Sequence, residues 1–242
     1  MTTLTVITPT LDCETALPRL VSSLQSQTDP DFQWVVADAQ SSDSTLEIVQ
    51  RSALKNMVVD SRADFSIYDG INRGIRAASG EYYLVLGADD LIDPDTVANY
   101  KKSTMLGEVD IVVASVRAFG RVVTPMTGKR WWRGCSSIIS SHSVGTLIRR
   151  RLHERLGYYS NRFVNAADMQ FILKAADDSS VKIGLGKFVA GEFGSGGISS
   201  TDQIASLTDA FRVQLAVEPS AALQFAIYVC RLGKAIFLRG QR

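Results

Sequence analysis

The chain has 242 residues, of which 45% are hydrophobic and 21% charged, and carries a net charge of +1. That length suits one large α/β domain with a sizeable core, and the near-zero charge excludes a global electrostatic footprint for nucleic acid. Cys13, Cys135 and Cys230 share no CxxC spacing, which argues against a disulfide framework or a zinc site and for a reducing cytoplasm.

The N-terminal MTTLTVITPT enters a strand pattern at once, without the basic and apolar regions of a signal peptide. LTVIT (4–8) reads as the first strand, and Leu17, Leu20, Val21 and Leu24 follow as one helix face. FQWVVAD (32–38) is the second strand, and Ser44 to Glu47 is a capping-box sequence that opens the next helix. NMVVDS (56–61) is the third strand. Ile67, Ile71, Ile75 and Ala78 then form a helical stripe that Gly80 closes in the usual C-terminal position. EYYLVLG (81–87) is the fourth strand and runs into Asp89-Asp90. Asp93 and Pro94 are expected as N-cap and first residue of a helix over 94–105, and VDIVVASV (109–116) is the fifth strand.

The second half is less regular. Residues 117–141 read as loop or antiparallel structure and contain the basic-aromatic KRWWRG (129–134). A strand at 144–148 leads to a short helix near Arg151 to Leu156 and a longer one over 165–177. VKIGLGKFVAG (181–191) reads as two short strands, and FGSGGISS (193–200) as a glycine-rich loop. No window reaches the roughly 18 apolar residues of a membrane span.

Strands alternating with helices predict a mostly parallel sheet with helices on both faces. Ligands in such sheets bind beyond the carboxyl ends of the strands. That places Thr8 to Asp12, Asp38 to Asp43, Ser61 to Asp64 and Asp89-Asp90 around one crevice. Neither GxGxxG nor a P-loop is present. A bound nucleotide would therefore have its phosphates held by carboxylates and a cation, an arrangement that suits Mg²⁺ with one or two carboxylates. Asp89 and Asp90 fit that pattern, and also the simpler one of acids favoured by a following helix dipole.

TVITPTLD, WVVADAQSSDST, SRADFSIYDGINRGIRAASGEYYLVLGADD and SHSVGTLIRRRLHERLGYYSNRFVNAADMQFIL resemble, in order, successive signatures of glycosyltransferase family 2, with the GT-A (Rossmann-like) nucleotide-diphospho-sugar transferase fold. The likeness runs from about residue 4 to residue 200 and is especially similar to bacterial lipopolysaccharide, exopolysaccharide and colanic-acid-type enzymes. It implies that Thr8 and Pro9 flank the nucleotide, that Asp38 contacts base and ribose, and that Asp64 lies beside them. It also places Asp69, Asn72 and Arg73 along the donor pocket. Asp89 is implied towards the ribose or sugar and Asp90 towards Mg²⁺ or Mn²⁺; Gly87 stands where many members carry a further acid, which rests metal binding mainly on Asp90. Ala39-Gln40 replaces a small, glycine-rich pair. Asp168 matches the family's catalytic base, His142 a histidine near the active site, and Gly196-Gly197 a glycine pair near the acceptor or diphosphate.

The implied activity is inverting transfer of a sugar from a nucleotide-diphosphate donor, with UDP favoured, to a saccharide or lipid-linked saccharide acceptor. A single displacement needs one base and no covalent nucleophile. A non-catalytic nucleotide-sugar-binding module and a nucleotidyltransferase stand as alternatives. The expected organisation is one GT-A domain over 1–220, with a donor half (1–116), an acceptor half (117–220) and a basic tail (221–242). The tail suits either a packed helix or peripheral contact with the inner face of the cell membrane.

Overall fold

The computed structural model describes residues 4–105, 108–125, 129–194 and 203–239. Gly196, Gly197 and the last residues of the tail lie outside that set. The first half alternates as β1 (Leu4–Thr10), α1 (Leu17–Gln25), β2 (Gln33–Asp38), α2 (Thr45–Arg51), β3 (Met57–Ser61), α3 (Ile67–Ala77) and β4 (Tyr82–Val85). The strands of this half lie parallel in the order β3–β2–β1–β4. After them come β5 (Leu91–Ile92), α4 (Thr96–Met105), β6 (Ile111–Ala118), β7 (Arg121–Val123), α5 (Arg130–Arg133), β8 (Thr146–Arg149), α6 (Leu152–Leu156), α7 (Ala167–Asp177), β9 (Ile183–Glu192), α8 (Gln203–Val217) and α9 (Ala221–Arg239).

One sheet takes in all nine strands, ordered β3–β2–β1–β4–β8–β6–β9–β5 with β7 paired to β6. Its central strands β1, β2, β4 and β8 are buried on both faces, and side-chain alternation divides the core in two. Leu4 and Val6 of β1 pack with α1, α2 and α4 on one face, whereas Ile7 packs with α3, α6 and α7 on the other. The sheet is mixed in its second half. β8 inserts between β4 and β6, antiparallel to both, so the expected fifth strand does not adjoin the fourth. β7 returns on β6 through Phe119 and Gly120, at φ 52° and 71°, the left-handed pair of a two-residue hairpin turn.

Several local expectations give way to tertiary contacts. Ser44 and Glu47 do not form a capping box: the Ser44 amide donates to Glu14 and the Thr45 amide to Asp43, while Glu47 pairs with Arg51. α4 starts at Thr96 because Asp93 continues the extended β5 segment, its amide donating to Ala190 O and its carboxylate gripped by both terminal nitrogens of Arg117. Gly80 is not a left-handed cap; a Cβ there would stand 2.7 Å from Thr5 Oγ1, so close approach to β1 requires the glycine. The two strands expected over 181–191 are one, β9, which bulges where its register on β6 shifts.

α3 lies unusually close to β1. A Cβ on Gly74 would come 2.3 Å from Ile7 Cγ2, and one on Gly70 would come 3.0 Å from Asp64 Oδ2. At the other end of the chain α9 packs on α8, with Phe211 and Tyr228 stacked at 4.5 Å. Gln224, Ile227 and Ala235 are buried there, whereas Phe225, Val229, Ile236 and Phe237 remain exposed. KRWWRG supplies α5, whose Trp131 and Trp132 carbonyls accept hydrogen bonds from Gln224 and Arg231 of α9. Among the described residues, no helix is long and apolar enough to cross a membrane.

Candidate active site

Strand register brings the first cluster together. Thr10, Asp38 and Ser61 stand level at the ends of β1, β2 and β3. Asp38 is fully buried. Its Oδ1 accepts from the Thr10 hydroxyl (3.0 Å) and the Ser41 hydroxyl (2.5 Å), and its Oδ2 from the Ser41 amide (3.1 Å) and the Ser61 hydroxyl (2.6 Å). Burial pushes its pKa up, but these four hydrogen bonds outweigh burial and hold it below the ordinary carboxylate value. The loop that delivers Ser41 passes through Gln40 at φ 63°, a conformation where glycine would sit without strain.

Arg73, buried on α3, ties this cluster to the next loop. Its Nη1 donates to Asp60 O and Asp60 Oδ1, and its Nη2 to Asp38 O and, at 3.1 Å, to Asp64 Oδ2. Burial raises the Asp64 pKa, with Arg73 pulling the other way. Other residues that the resemblance assigns to the donor turn inward. Thr8 accepts from Trp34 Nε1 at 3.0 Å. The Asn72 amide brackets the backbone of Tyr159, donating to its carbonyl (2.9 Å) and accepting from its amide (3.0 Å). Asp69 sits half-buried in the first turn of α3, its amide capped by Ser66, and repels Asp64.

The second cluster depends on the antiparallel strands. Pairing of β8 with β4 carries the Ser141–Ser143 loop to the end of β4, where the Val144 amide donates to Val85 O. Val144 holds φ 63°, an outlier for a β-branched residue that costs on the order of 1–3 kcal/mol. Pairing of β9 with β5 likewise brings Gly194 to Asp90. Together they close a cavity of about 200 Å³ whose walls include Pro9, Tyr68, Asp89, Asp90, His142 and Asp168.

Asp90 Oδ2 accepts from the Gly87 amide and Oδ1 from the Gly194 amide, each at 2.7 Å. Burial pushes its pKa up to about 6; hydrogen bonds from Gly194, Gly87 and Ser143 oppose this, and the Asp89 charge adds to it. With three donors on about four acceptor positions, the Asp90 carboxylate keeps about one for a further partner. Among the described residues no group of three or more His, Cys, Asp or Glu gathers to hold a metal. Asp89 and Asp90 therefore fit an ion that takes one or two carboxylates and completes its shell with water and phosphate oxygens. A cation there would relieve both the burial of Asp90 and its repulsion from Asp89.

Asp168 occupies the first turn of α7, where the helix dipole favours a carboxylate. Its Oδ1 accepts from the Tyr68 hydroxyl at 2.7 Å. Behind it, His142 Nε2 lies 2.7 Å from the Tyr159 hydroxyl. The crevice expected from the sequence took in Thr10, Ser41 and Ser61 without giving them a role, and sequence reasoning missed Tyr68 and Tyr159. Thr10 shares a strand face with Thr8, and period-two alternation alone does not say which of the two reaches the site. Tyr68 and Tyr159 lie within the quoted signatures, but nothing there marked them for a role.

A sheet that is parallel in its first half and mixed in its second, with carboxylates gathered at its strand ends, is the architecture of a GT-A-type fold. The profile of Glycosyl transferase family 2 matches residues 5–178, and the chain belongs to that family. It is 29% identical over 206 residues, 81% of this chain and 78% of the relative, to a PGL/p-HBAD biosynthesis glycosyltransferase of Mycobacterium bovis. It superposes on Staphylococcus aureus TarS 1–349 in complex with UDP-GlcNAc at a TM-score of 0.71, with 20% identity, covering 93% of this chain and 70% of that one. The mannosyltransferase PcManGT of Pyrobaculum calidifontis, in complex with GDP-Man and Mn²⁺, gives a TM-score of 0.66 with 19% identity, covering 96% and 74%. These structural likenesses establish the GT-A fold.

Proposed function

We propose that this glycosyltransferase inverts the anomeric centre of a nucleotide-diphosphate sugar, with UDP favoured, while transferring it to a saccharide or lipid-linked saccharide acceptor during assembly of a cell-envelope glycan or glycolipid. The observation that carries the reading is the cavity shared by Asp168 with Asp89 and Asp90. The relatives support the substrate classes: one is named for PGL/p-HBAD biosynthesis, and the TarS structure holds UDP-GlcNAc.

In this reading residues 1–116 hold the donor and 117–220 the acceptor. Asp168 takes the proton of the attacking hydroxyl through Oδ2, because the Tyr68 hydroxyl occupies Oδ1 and orients the carboxylate. The cluster of Asp38, Asp64 and Arg73 fixes the loops that receive base and ribose. Asp90, with Asp89, would hold Mg²⁺ or Mn²⁺, which when bound supplies charge to the departing diphosphate.

UDP-, GDP- and TDP-sugars screened by thermal shift with Mg²⁺ or Mn²⁺ test the donor. A bound donor raises the melting temperature by mass action; a flat response to every donor and metal would overturn the reading. α9 is proposed as a peripheral membrane helix, since Phe225, Val229, Ile236 and Phe237 are exposed beside Lys234. The full chain should co-sediment with anionic liposomes at low salt, and absence of binding there would remove the membrane from the proposal.

A further inference from the structure

Behind the cavity runs a buried chain of hydrogen bonds that the chemistry of transfer does not use. His142 Nε2 lies 2.7 Å from the Tyr159 hydroxyl, which lies 2.6 Å from the Tyr83 hydroxyl, which lies 2.7 Å from His153 Nε2. His153 Nδ1 ends the chain 3.0 Å from Gly157 O. Tyr83 is fully buried and His153 nearly so. The His153 ring is stacked on Phe171 at 4.4 Å and on Tyr158 at 5.2 Å, and Asn72 pins the Tyr159 backbone. Rings held on so many sides keep their places.

The far end of this chain sets its direction. A carbonyl oxygen only accepts, so His153 Nδ1 carries a proton and donates to Gly157 O. With His153 neutral, its Nε2 is bare and accepts from Tyr83. The Tyr83 oxygen then accepts from Tyr159, and the Tyr159 oxygen from His142. His142 is thereby protonated on Nε2 and bare on Nδ1. The opposite direction requires a second proton on His153 Nε2. Burial lowers the His153 pKa to about 4, and Arg76 and His142 push the same way, with the Gly157 bond opposing them. At pH 7 that disfavours the reversed chain. Burial likewise lowers the His142 pKa, against the pull of Asp168.

His142 stands in the cavity wall with Asp168. Among the described residues nothing bonds its Nδ1, and that atom is not among the sealed, unpartnered polar atoms. We propose that His142 reads the acceptor: its bare Nδ1 accepts a hydrogen bond from a sugar hydroxyl beside the one Asp168 deprotonates. Tyr159, Tyr83 and His153 are positioning residues that hold His142 in the accepting tautomer. The contact discriminates by leaving Nδ1 unpaired when the hydroxyl is absent, the arrangement that most strongly rejects a deoxy analogue. It rests on the proposed transfer to a saccharide.

The chain contains only two histidines, so ¹⁵N-histidine NMR reports on these two rings alone. Near neutral pH the protein without ligand should show His142 protonated on Nε2 and His153 on Nδ1. Methyl glucoside, methyl mannoside, methyl rhamnoside and methyl N-acetylglucosaminide, each added with UDP, form the probe panel. At least one should move the His142 Nδ1 signal, and the matching deoxy glycoside should not. Tyr83→Phe, which cuts the relay away from the cavity, should give mixed His142 tautomers and weaken glycoside binding by about tenfold. A His142 proton on Nδ1, an imidazolium, or a panel that leaves Nδ1 unmoved would overturn the proposal. The tautomers are read without substrate. Donor turnover is assayed separately, so its failure counts against the transferase reading and not against the relay.

Discussion

At the ends of β2 and β3 Asp38 has every acceptor position filled, by Thr10, Ser61 and both donors of Ser41. Across the sheet Asp168 accepts one hydrogen bond among the described residues, from Tyr68. Both carboxylates stand at strand ends or helix starts in a GT-A sheet, yet their remaining capacity differs. A carboxylate saturated by its own protein orders loops, and a donor hydroxyl that reached Asp38 would have to displace a serine. A carboxylate with one oxygen in use keeps the other for a proton.

The sharpest break comes from Asp168→Asn. Removing a general base should lower kcat by about 10²–10⁴, or roughly 3–5 kcal/mol of barrier, with donor affinity nearly unchanged. An equal loss of donor affinity by titration calorimetry would place Asp168 with the saturated cluster instead. Arg73→Met attacks the other side. It strands the half-buried carboxylates of Asp60 and Asp64, and breaking a buried pair costs about 3–5 kcal/mol. Urea unfolding should register that as a lower midpoint; wild-type stability would mean that solvent or a relocated cation replaces the arginine.

His153 offers a pH handle on the buried relay. Its folded pKa, about 4, lies below its ordinary value. Its contribution to stability is therefore complete above about pH 6.5 and is lost as pH falls towards 4, on the order of 3 kcal/mol in all. Chemical unfolding of the wild type across that window should steepen relative to His153→Gln, and parallel curves would show that the imidazole takes up its proton equally in the folded and unfolded states. The smallest effect belongs to Asp38→Asn. Loss of charge-assisted hydrogen bonds should cost about 1.5–3 kcal/mol of stability. If Asp38 mainly orders loops, UDP affinity should fall no further than stability does. A larger fall in affinity would show a direct contact with the nucleotide.

The parallel half was legible because its signals are local. Val35, Val36, Tyr83 and Leu84 lie in apolar runs between polar turns, and Ile67, Ile71 and Ile75 repeat at helical spacing. The second half was not. Nothing in Thr146–Arg149 says that this strand will part β4 from β6, because both its partners lie more than 25 residues upstream in sequence. The same holds for Glu14, which displaced the expected capping box from 30 residues upstream. Motif resemblance picked out Asp38 at its strand end and Asp90, His142 and Asp168 in the cavity wall. It said nothing of which acceptor atoms would already be occupied, since that is settled by Ser41, Ser61 and two backbone amides.

The close seat of α3 on β1 has a consequence for inheritance. Tyr68 rides on that helix and touches Asp168, while Gly74 sets how near the helix lies by offering Ile7 no methyl to meet. A single alanine at Gly74 would have to lift α3 or displace Ile7. A misplacement of about 1 Å around reacting groups can cost 10²-fold in rate. Descendants of this chain can change many surface residues freely, but they are bound to keep a hydrogen atom where a side chain would otherwise be.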